Sequence, residues 1–295
     1  MRSDLEILQG ACDIHVHTNP DVFRRMVDDV EAARGAKAYG FRAIITKSHQ
    51  LETASRAHFA RRLVDGIDIF GSTTLDYSHG GLNPFCVDAV IKIGAKKVYL
   101  PTTDADYHKE LFGSIGSLGG LYQAEGHITA LYAQQPPLKI IDERGKILPA
   151  VRDVLKLIAE AGIIVSAGHA SLEEIRVFLR ETKDLGIRKA VVDHPFLTKI
   201  PVAAQEEIAR EGAYINYAYW DICPKYYCVT LPKMAEAIRR VGPDRAVLSS
   251  DAGQLFNAPP AECLRTYVQM LLEEGLSPRE IRQMVCDNPA FLIYG

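Results

Sequence analysis

No two cysteines of this chain stand in a CxxC spacing. The six of them, Cys12, Cys86, Cys223, Cys228, Cys263 and Cys286, are scattered. That argues against a zinc-finger framework and fits free thiols in a reducing compartment. No apolar run approaches the roughly 20 residues that a membrane helix needs. The opening MRSDLEILQGAC has no apolar h-region, so no secretory signal is expected and a cytoplasmic location is. Blocks of like charge are also missing. With 34 Lys and Arg against 37 Asp and Glu the net charge is only −3, which points away from nucleic acid and membrane surfaces as partners. No glycine fingerprint for a dinucleotide and no P-loop follows any strand-like run. A small molecule is the partner left to expect.

What is present is an alternation. Short apolar runs, ACDIHV, FRAIIT, IDIFGSTTL, KKVYLPT, IIVSAG, KAVVDH, AYINYAYW and RAVLSSD, are each followed by helical sequence. Asn83 with Pro84 opens one helix and Ser171 with Glu174 forms a capping box at another. Eight strand–helix units in 295 residues predict an α/β chain folded as one (β/α)8 TIM barrel domain over residues 1–295. An open doubly wound sheet is the alternative. Residues 104–148 break the rhythm after the fourth strand and read as a long insertion with a hairpin at IIDERGKIL.

In such a barrel, chemistry sits at the C-terminal ends of the strands. The first run ends on His15 and His17, the second on Lys47 and His49. The fourth is followed by Asp104 and His108, the fifth ends on His169, the sixth on His194 and the eighth on Asp251. Positions two apart share a face of a strand, so His15 pairs with His17 and Lys47 with His49. Imidazole nitrogen with carboxylate oxygen is a good donor set for a borderline divalent ion. Each residue also has a plain structural reading: a histidine hydrogen-bonded at a strand end, Asp251 as a helix N-cap, Lys47 snorkelling. Those readings must all hold at once at one pole, which makes them jointly poor.

The stretches DIHVHTNP, SAGHAS, VVDHPF and LSSDAGQ resemble, in order, the strand-one HxH, strand-five His, strand-six His and strand-eight Asp of the amidohydrolase superfamily, and the ending DNPAFLIYG is similar to its NPA terminus. TKSH, GGLNPFCVDAV and VYLPTTDADYH further resemble the DUF6282 type of amidohydrolase-like protein. The resemblance implies a metal-dependent hydrolase of amides, cyclic amides, lactones or related esters. His15, His17 and Asp251 would hold a buried metal, and His169 and His194 a more exposed one. His49 and Lys47 are further candidate ligands. Asp251 would take the proton of the attacking water, with Lys47 and His194 as the other candidate catalytic groups. One or two ions are implied, Zn2+ first and Mn2+ or Fe2+ as alternatives. The superfamily commonly bridges two metals with a carboxylated Lys or a Glu after strand four. Here Lys96 and Lys97 stand at the wrong end of that strand, leaving a carboxylated Lys47, Asp104 or a single metal.

Around this centre Arg25, Asp104, His108, Tyr217 and Tyr219 are the expected substrate contacts. Arg24 and Arg25 could clamp a carboxylate or phosphate. Tyr122, His127 and Tyr132 of the insertion are candidates for a lid or for a contact in an expected homo-oligomer. The alternatives to a hydrolase are a decarboxylase with the same metal frame, a phosphoesterase of the polymerase-and-histidinol-phosphatase type, and a non-catalytic binding protein.

Overall fold

The computed structural model of the protein describes residues 3–117 and 134–295. Among these, nine strands run in parallel: β1 (Cys12–His17), β2 (Ala43–Lys47), β3 (Asp68–Phe70), β4 (Ser72–Thr74), β5 (Lys97–Tyr99), β6 (Ile164–Ser166), β7 (Ala190–Asp193), β8 (Tyr214–Ala218) and β9 (Ala246–Ser249). Neighbours in sequence are neighbours in space, as β1–β2–β3 and as β4 through β9. Helices intervene: α1 (Ser3–Ile7), α2 (Asp29–Ala38), α3 (Ala54–Ala60), α4 (Pro84–Lys92), α5 (Asp106–Phe112), α6 (Pro149–Ala161), α7 (Leu172–Asp184), α8 (Val202–Arg210), α9 (Leu231–Val241) and α10 (Pro260–Glu273). The chain finishes with α11 (Pro278–Arg282), a π-helical turn and α12 (Asn288–Tyr294). The result is an α/β fold with parallel sheets. No helix among the described residues is long and apolar enough to cross a membrane.

Helix starts follow local chemistry. Asn83 caps α4 through Phe85 N and Cys86 N, with Pro84 in the first turn. The capping box expected at Ser171 and Glu174 opens α7. Glu174 also accepts from Ile140 N at 3.1 Å, tying the preceding loop to that helix.

Every strand but β3 is buried on both faces, so alternation sorts two cores rather than core from solvent. Ile44, Val98, Val192 and Leu248 pack toward the helices. Ile14, Ile45, Val191 and Val247 point the other way and meet Leu292 and Ile293 of α12, which closes the N-terminal end of the strands with apolar side chains. Polar side chains therefore concentrate toward the opposite end.

Three features depart from the sequence reading. The third run is divided at Gly71, a position that only glycine can fill, since a Cβ there would lie 2.3 Å from the backbone of Ala54 where α3 begins. The Ser72 hydroxyl donates across the break to Thr46 O, and Thr74 to Ser48 O. Second, the region assigned as an insertion starts with helix α5, which Gly113 ends at φ 82. The hairpin turn is present as an antiparallel bridge between Ile141 and Ile147, whereas Tyr122, His127 and Tyr132 lie outside the described residues. Third, β1 carries an extra residue between Asp13 and Val16 relative to Ile44 and Thr46 of β2, a β-bulge at the first histidine.

Candidate active site

β1 brings His15 and His17 to the polar end, and the loop after β9 lays Asp251 against them. Asp251 N donates to His15 O at 2.9 Å, and His17 N to Ala252 O at 2.8 Å. The approach is close enough that a Cβ on Gly253, whose φ is 132, would sit 1.9 Å from His17 O. Only glycine fits there. Gly168 does the same before His169, where a Cβ would fall 2.2 Å from Pro101 O.

Five imidazoles form a ring. Centroids are 5.4 Å apart for His15 and His17, 4.9 Å for His15 and His194, 6.0 Å for His194 and His169, 6.3 Å for His169 and His49, and 5.3 Å for His49 and His17. All five are buried, as are Lys47 and Asp251. Asp251 Oδ1 lies 3.2 Å from His15 Nε2 and 3.0 Å from His17 Nε2, and its Oδ2 lies 3.5 Å from His194 Nε2. His194 and Asp251 adopt left-handed backbone, with φ of 52 and 45. Such conformations cost on the order of 1–3 kcal/mol and persist where the surroundings impose them.

Two of these side chains have their tautomers fixed from behind. Ser117 O can only accept, so His108 Nε2 donates to it at 2.7 Å. His108, which burial pushes down to about 4, is neutral and keeps its lone pair on Nδ1. That atom is 2.8 Å from His169 Nδ1, which must donate, leaving the lone pair of His169 on Nε2. His49 follows the same logic. Thr102 Oγ1 donates to Asp76 Oδ2 at 2.7 Å and takes its other bond from His49 Nδ1 at 2.7 Å. Behind His15 stands a carboxylate instead, with Asp193 Oδ1 3.5 Å from His15 Nδ1.

Burial holds His15, His17, His49 and His169 well below the ordinary imidazole value, with nearby cationic groups adding to it, and takes His194 to about 3. Burial raises Asp251 to about 8 against the pull of Lys47 and Arg25, and lowers Lys47 to about 8 against the pull of Asp251. Burial also opposes ionisation of Asp193, but Lys97 and His15 outweigh it and keep its carboxyl well below the usual range.

The donor set suits a divalent ion. His15 Nε2 has no hydrogen-bond partner among the described residues although it faces a carboxylate oxygen. Neutral imidazole nitrogens and a carboxylate oxygen converging at 3.0–3.2 Å are a set that could hold a cation between them. Bonds of about 2.0–2.1 Å in a tetrahedral zinc site place ligand atoms roughly 3.3 Å apart. Ligand atoms of His15, His17 and Asp251 all lie within 4.8 Å of one another.

A cavity of about 390 Å³, counting its open mouth, lies beside this cluster. His17, Lys47, His49, His169, His194 and Asp251 line one side of it, and Arg25 also reaches it. Four expected substrate contacts do not. His108 stands behind His169 with both nitrogens engaged. Asp104 accepts from Tyr77 N at 2.7 Å and sits beside Asp76 rather than at the cavity. Tyr217 points to the helix layer, where its hydroxyl donates to Gln205 at 2.8 Å. Tyr219 packs against Tyr267. Arg24 is exposed.

The sequence reading also passed over several residues. Trp220, Leu197, Tyr226 and Gln254 complete the cavity wall. Lys97, set aside as lying at the wrong pole, is fully buried with Nζ 3.2 Å from Asp193 Oδ1, beneath His15. Asp193 further accepts from Ser166 Oγ and Asn216 Nδ2. Parity was the available signal: Lys97 and Tyr99 share a face, and a lysine stem spans about the roughly 6.6 Å rise of two strand residues.

Solved structures share this fold. They include an amidohydrolase from Pseudomonas aeruginosa, 11% identical, covering 99% of this chain and 97% of that one with a TM-score of 0.63. A probable dipeptidase from the same organism is 13% identical over 98% and 97%, with a TM-score of 0.62. A lactonase from Listeria monocytogenes is 13% identical over 97% and 95%, with a TM-score of 0.57. At such identities the likeness is one of fold. No curated protein matches the sequence. The family model described as a family of unknown function, DUF6282, matches residues 10–216, and the chain belongs to that family.

Proposed function

We propose that this protein is a divalent-metal-dependent hydrolase of an amide, cyclic amide, lactone or related ester, built on a closed (β/α)8 barrel. Closure is supported by β3 and β4 being two parts of one run and by the backbone bonds that tie residues 251 and 252 to β1. The observation that carries the activity is the convergence of His15 Nε2 and His17 Nε2 on Asp251 Oδ1. Solved structures of this fold described as a dipeptidase and a lactonase agree with it.

In this reading His15, His17 and Asp251 hold one ion, and His169 and His194, with His49 beside them, hold a second. Zn2+ fits the donor set best. A divalent ion held there supplies Lewis acidity, polarising a carbonyl and making water acidic enough to ionise near pH 7. Asp251, with one oxygen toward His15 and His17 and the other toward His194, accepts the proton of the attacking water and returns it to the leaving group. Lys47 stands among all five imidazoles, and its lowered pKa leaves a share of neutral amine. That amine can attack carbon dioxide and release one proton, and the resulting carbamate would offer two oxygens as ligands between the halves of the ring. Asp104, held at Asp76, is dropped as the bridge.

Metal analysis of protein purified without chelator tests the reading first. One to two equivalents of transition metal are expected, and hydrolysis in a panel of lactones and amides that is lost in His169→Ala. Less than about 0.2 equivalents would overturn the metalloenzyme reading.

A further inference from the structure

Both ring nitrogens of His15 lack a hydrogen bond among the described residues, yet each faces a carboxylate oxygen. Asp251 Oδ1 stands 3.2 Å from Nε2, and Asp193 Oδ1 stands 3.5 Å from Nδ1. A neutral imidazole has one proton for its two nitrogens. One of the two carboxylates therefore meets a lone pair. With the proton on Nε2, His15 donates to Asp251 and no place is left between them. With the proton on Nδ1, the Nε2 lone pair faces Asp251 Oδ1, an arrangement that attracts a cation.

The two carboxylates are set differently. Asp251 borders the cavity, and its Oδ1 also lies 3.0 Å from His17 Nε2. Asp193 is buried among interior groups from three other strands. Lys97 on β5 holds its Nζ 3.2 Å from Asp193 Oδ1. Asn216 on β8, opposite Asp193 in register, donates to the same oxygen, and Ser166 on β6 donates to Oδ2. Ser166 Oγ also accepts from Gly168 N at 3.1 Å. That bond ties the carboxylate to the turn that carries His169, and along the chain Asp193 adjoins His194. Lys97 is fully buried, with its ammonium 4.3 Å from the ring centroid of Tyr99. A buried ion pair is not an economical way to hold strands together, because apolar side chains of similar volume do so as well or better. Its place beneath His15 gives this pair a use.

We infer that Asp193 and Lys97 are positioning residues of the centre. Asp193 Oδ1 receives the proton-bearing Nδ1 of His15, and Lys97 supplies the counter-charge that holds this carboxylate in the interior. His15 Nε2 is thereby committed to a cation beside Asp251. The inference rests on the metal-binding reading of the site, but its first test is made on metal-free protein.

Two-bond proton–nitrogen NMR correlations in histidine-labelled protein, stripped with a chelator, read the tautomer, and His15→Asn assigns the signal by its loss. Wild-type His15 is expected as the Nδ1–H tautomer. An Nε2–H tautomer overturns the inference and leaves the hydrolase reading standing. An Nδ1–H tautomer in a protein that takes up no added Zn2+ would sink the metal reading and leave the proton where it is inferred. The double variant Lys97→Met/Asp193→Leu removes both charges together, so neither is left buried alone. Its tightest zinc affinity should fall about 10–100-fold in competition with a chromogenic chelator, and His15 should populate both tautomers. Lys97→Arg, which keeps the charge, should retain more of the affinity than Lys97→Met. Unchanged affinity and tautomer in the double variant would make the pair structural only and overturn the inference. The wild-type spectrum decides even where a variant fails to fold.

Discussion

His15 and His17 face carboxylates, whereas His49 and His169 are held by neutral groups. On the first side Asp251 lies within 3.2 Å of both imidazoles and Asp193 stands behind His15. On the second side a threonine hydroxyl and a neutral histidine set the direction of each lone pair without supplying charge. In the proposed reading the tight side is a cation site whose own negative charge would compensate the ion. The open side is oriented but uncharged, so an ion proposed there would depend on its neighbour and on whatever bridges them. Charge and direction, which second-shell groups usually deliver together, are here divided between two halves of one ring.

The largest expected effect breaks the charged half. Asp251→Asn keeps the shape and removes the anion. Bound metal should fall below half an equivalent by elemental analysis, and hydrolysis should fall on the order of 10²–10⁴-fold, the range of general acid–base contributions. An Asn variant with full metal content would show that the carboxylate is not what holds the ion.

A smaller effect comes from the neutral half. His108→Leu removes the acceptor behind His169 and touches neither the cavity nor Asp251. Metal affinity at the open side should weaken about 10–100-fold in competition with a chromogenic chelator, while the tight side keeps its ion. Unchanged affinity at both would mean that packing alone orients His169.

The smallest effect sharpens where the charge behind His49 resides. Asp76 takes five hydrogen bonds, from the backbone N–H groups of Thr102, Thr103 and Asp104 and from the hydroxyls of Thr102 and Thr103. Burial, and then the Asp76 charge, raise Asp104 from 3.8 to about 8. Its folded value lies above its unfolded one, so its stabilising contribution is complete below about pH 4 and is lost as pH rises through about 8. Asp104→Asn stays neutral throughout. The Tm difference should shift in favour of the Asn variant by a few degrees, on the order of 2–8 °C, between pH 4 and pH 8. A difference independent of pH would place the proton elsewhere.

The half of the centre that was legible in the sequence is the half that ends strands. His15, His17, His49, His169, His194 and Asp251 stand where an apolar run stops, and periodicity alone puts them at one end. Their supports were not legible, because they depend on distance across the fold. Nothing near Ser117 in sequence says that it would hold His108, and Lys97 reaches the interior from a strand's beginning by the length of its side chain. Tyr217 and Tyr219 were misplaced by weighing their aromatic character over their parity. Asn216 and Ala218 carry the inward face, and the 3₁₀ turn at Tyr219–Ile222 delivers Trp220 instead. The eight-unit rhythm was plain, whereas the need for glycine at 71, where the third strand divides, depended on a neighbour's backbone.

The bulge in β1 gives the centre a dependence on counting. One extra residue between Asp13 and Val16 is what lets a short strand present His15 and His17 while Asp13 accepts from His15 N at 3.2 Å and Ser250 N at 3.2 Å. The site is thus written in the length of a segment as much as in its letters. A chain shortened there by one residue would keep every ligand and gain a more regular ladder, and would still lose the register that aims the first histidine at Asp251.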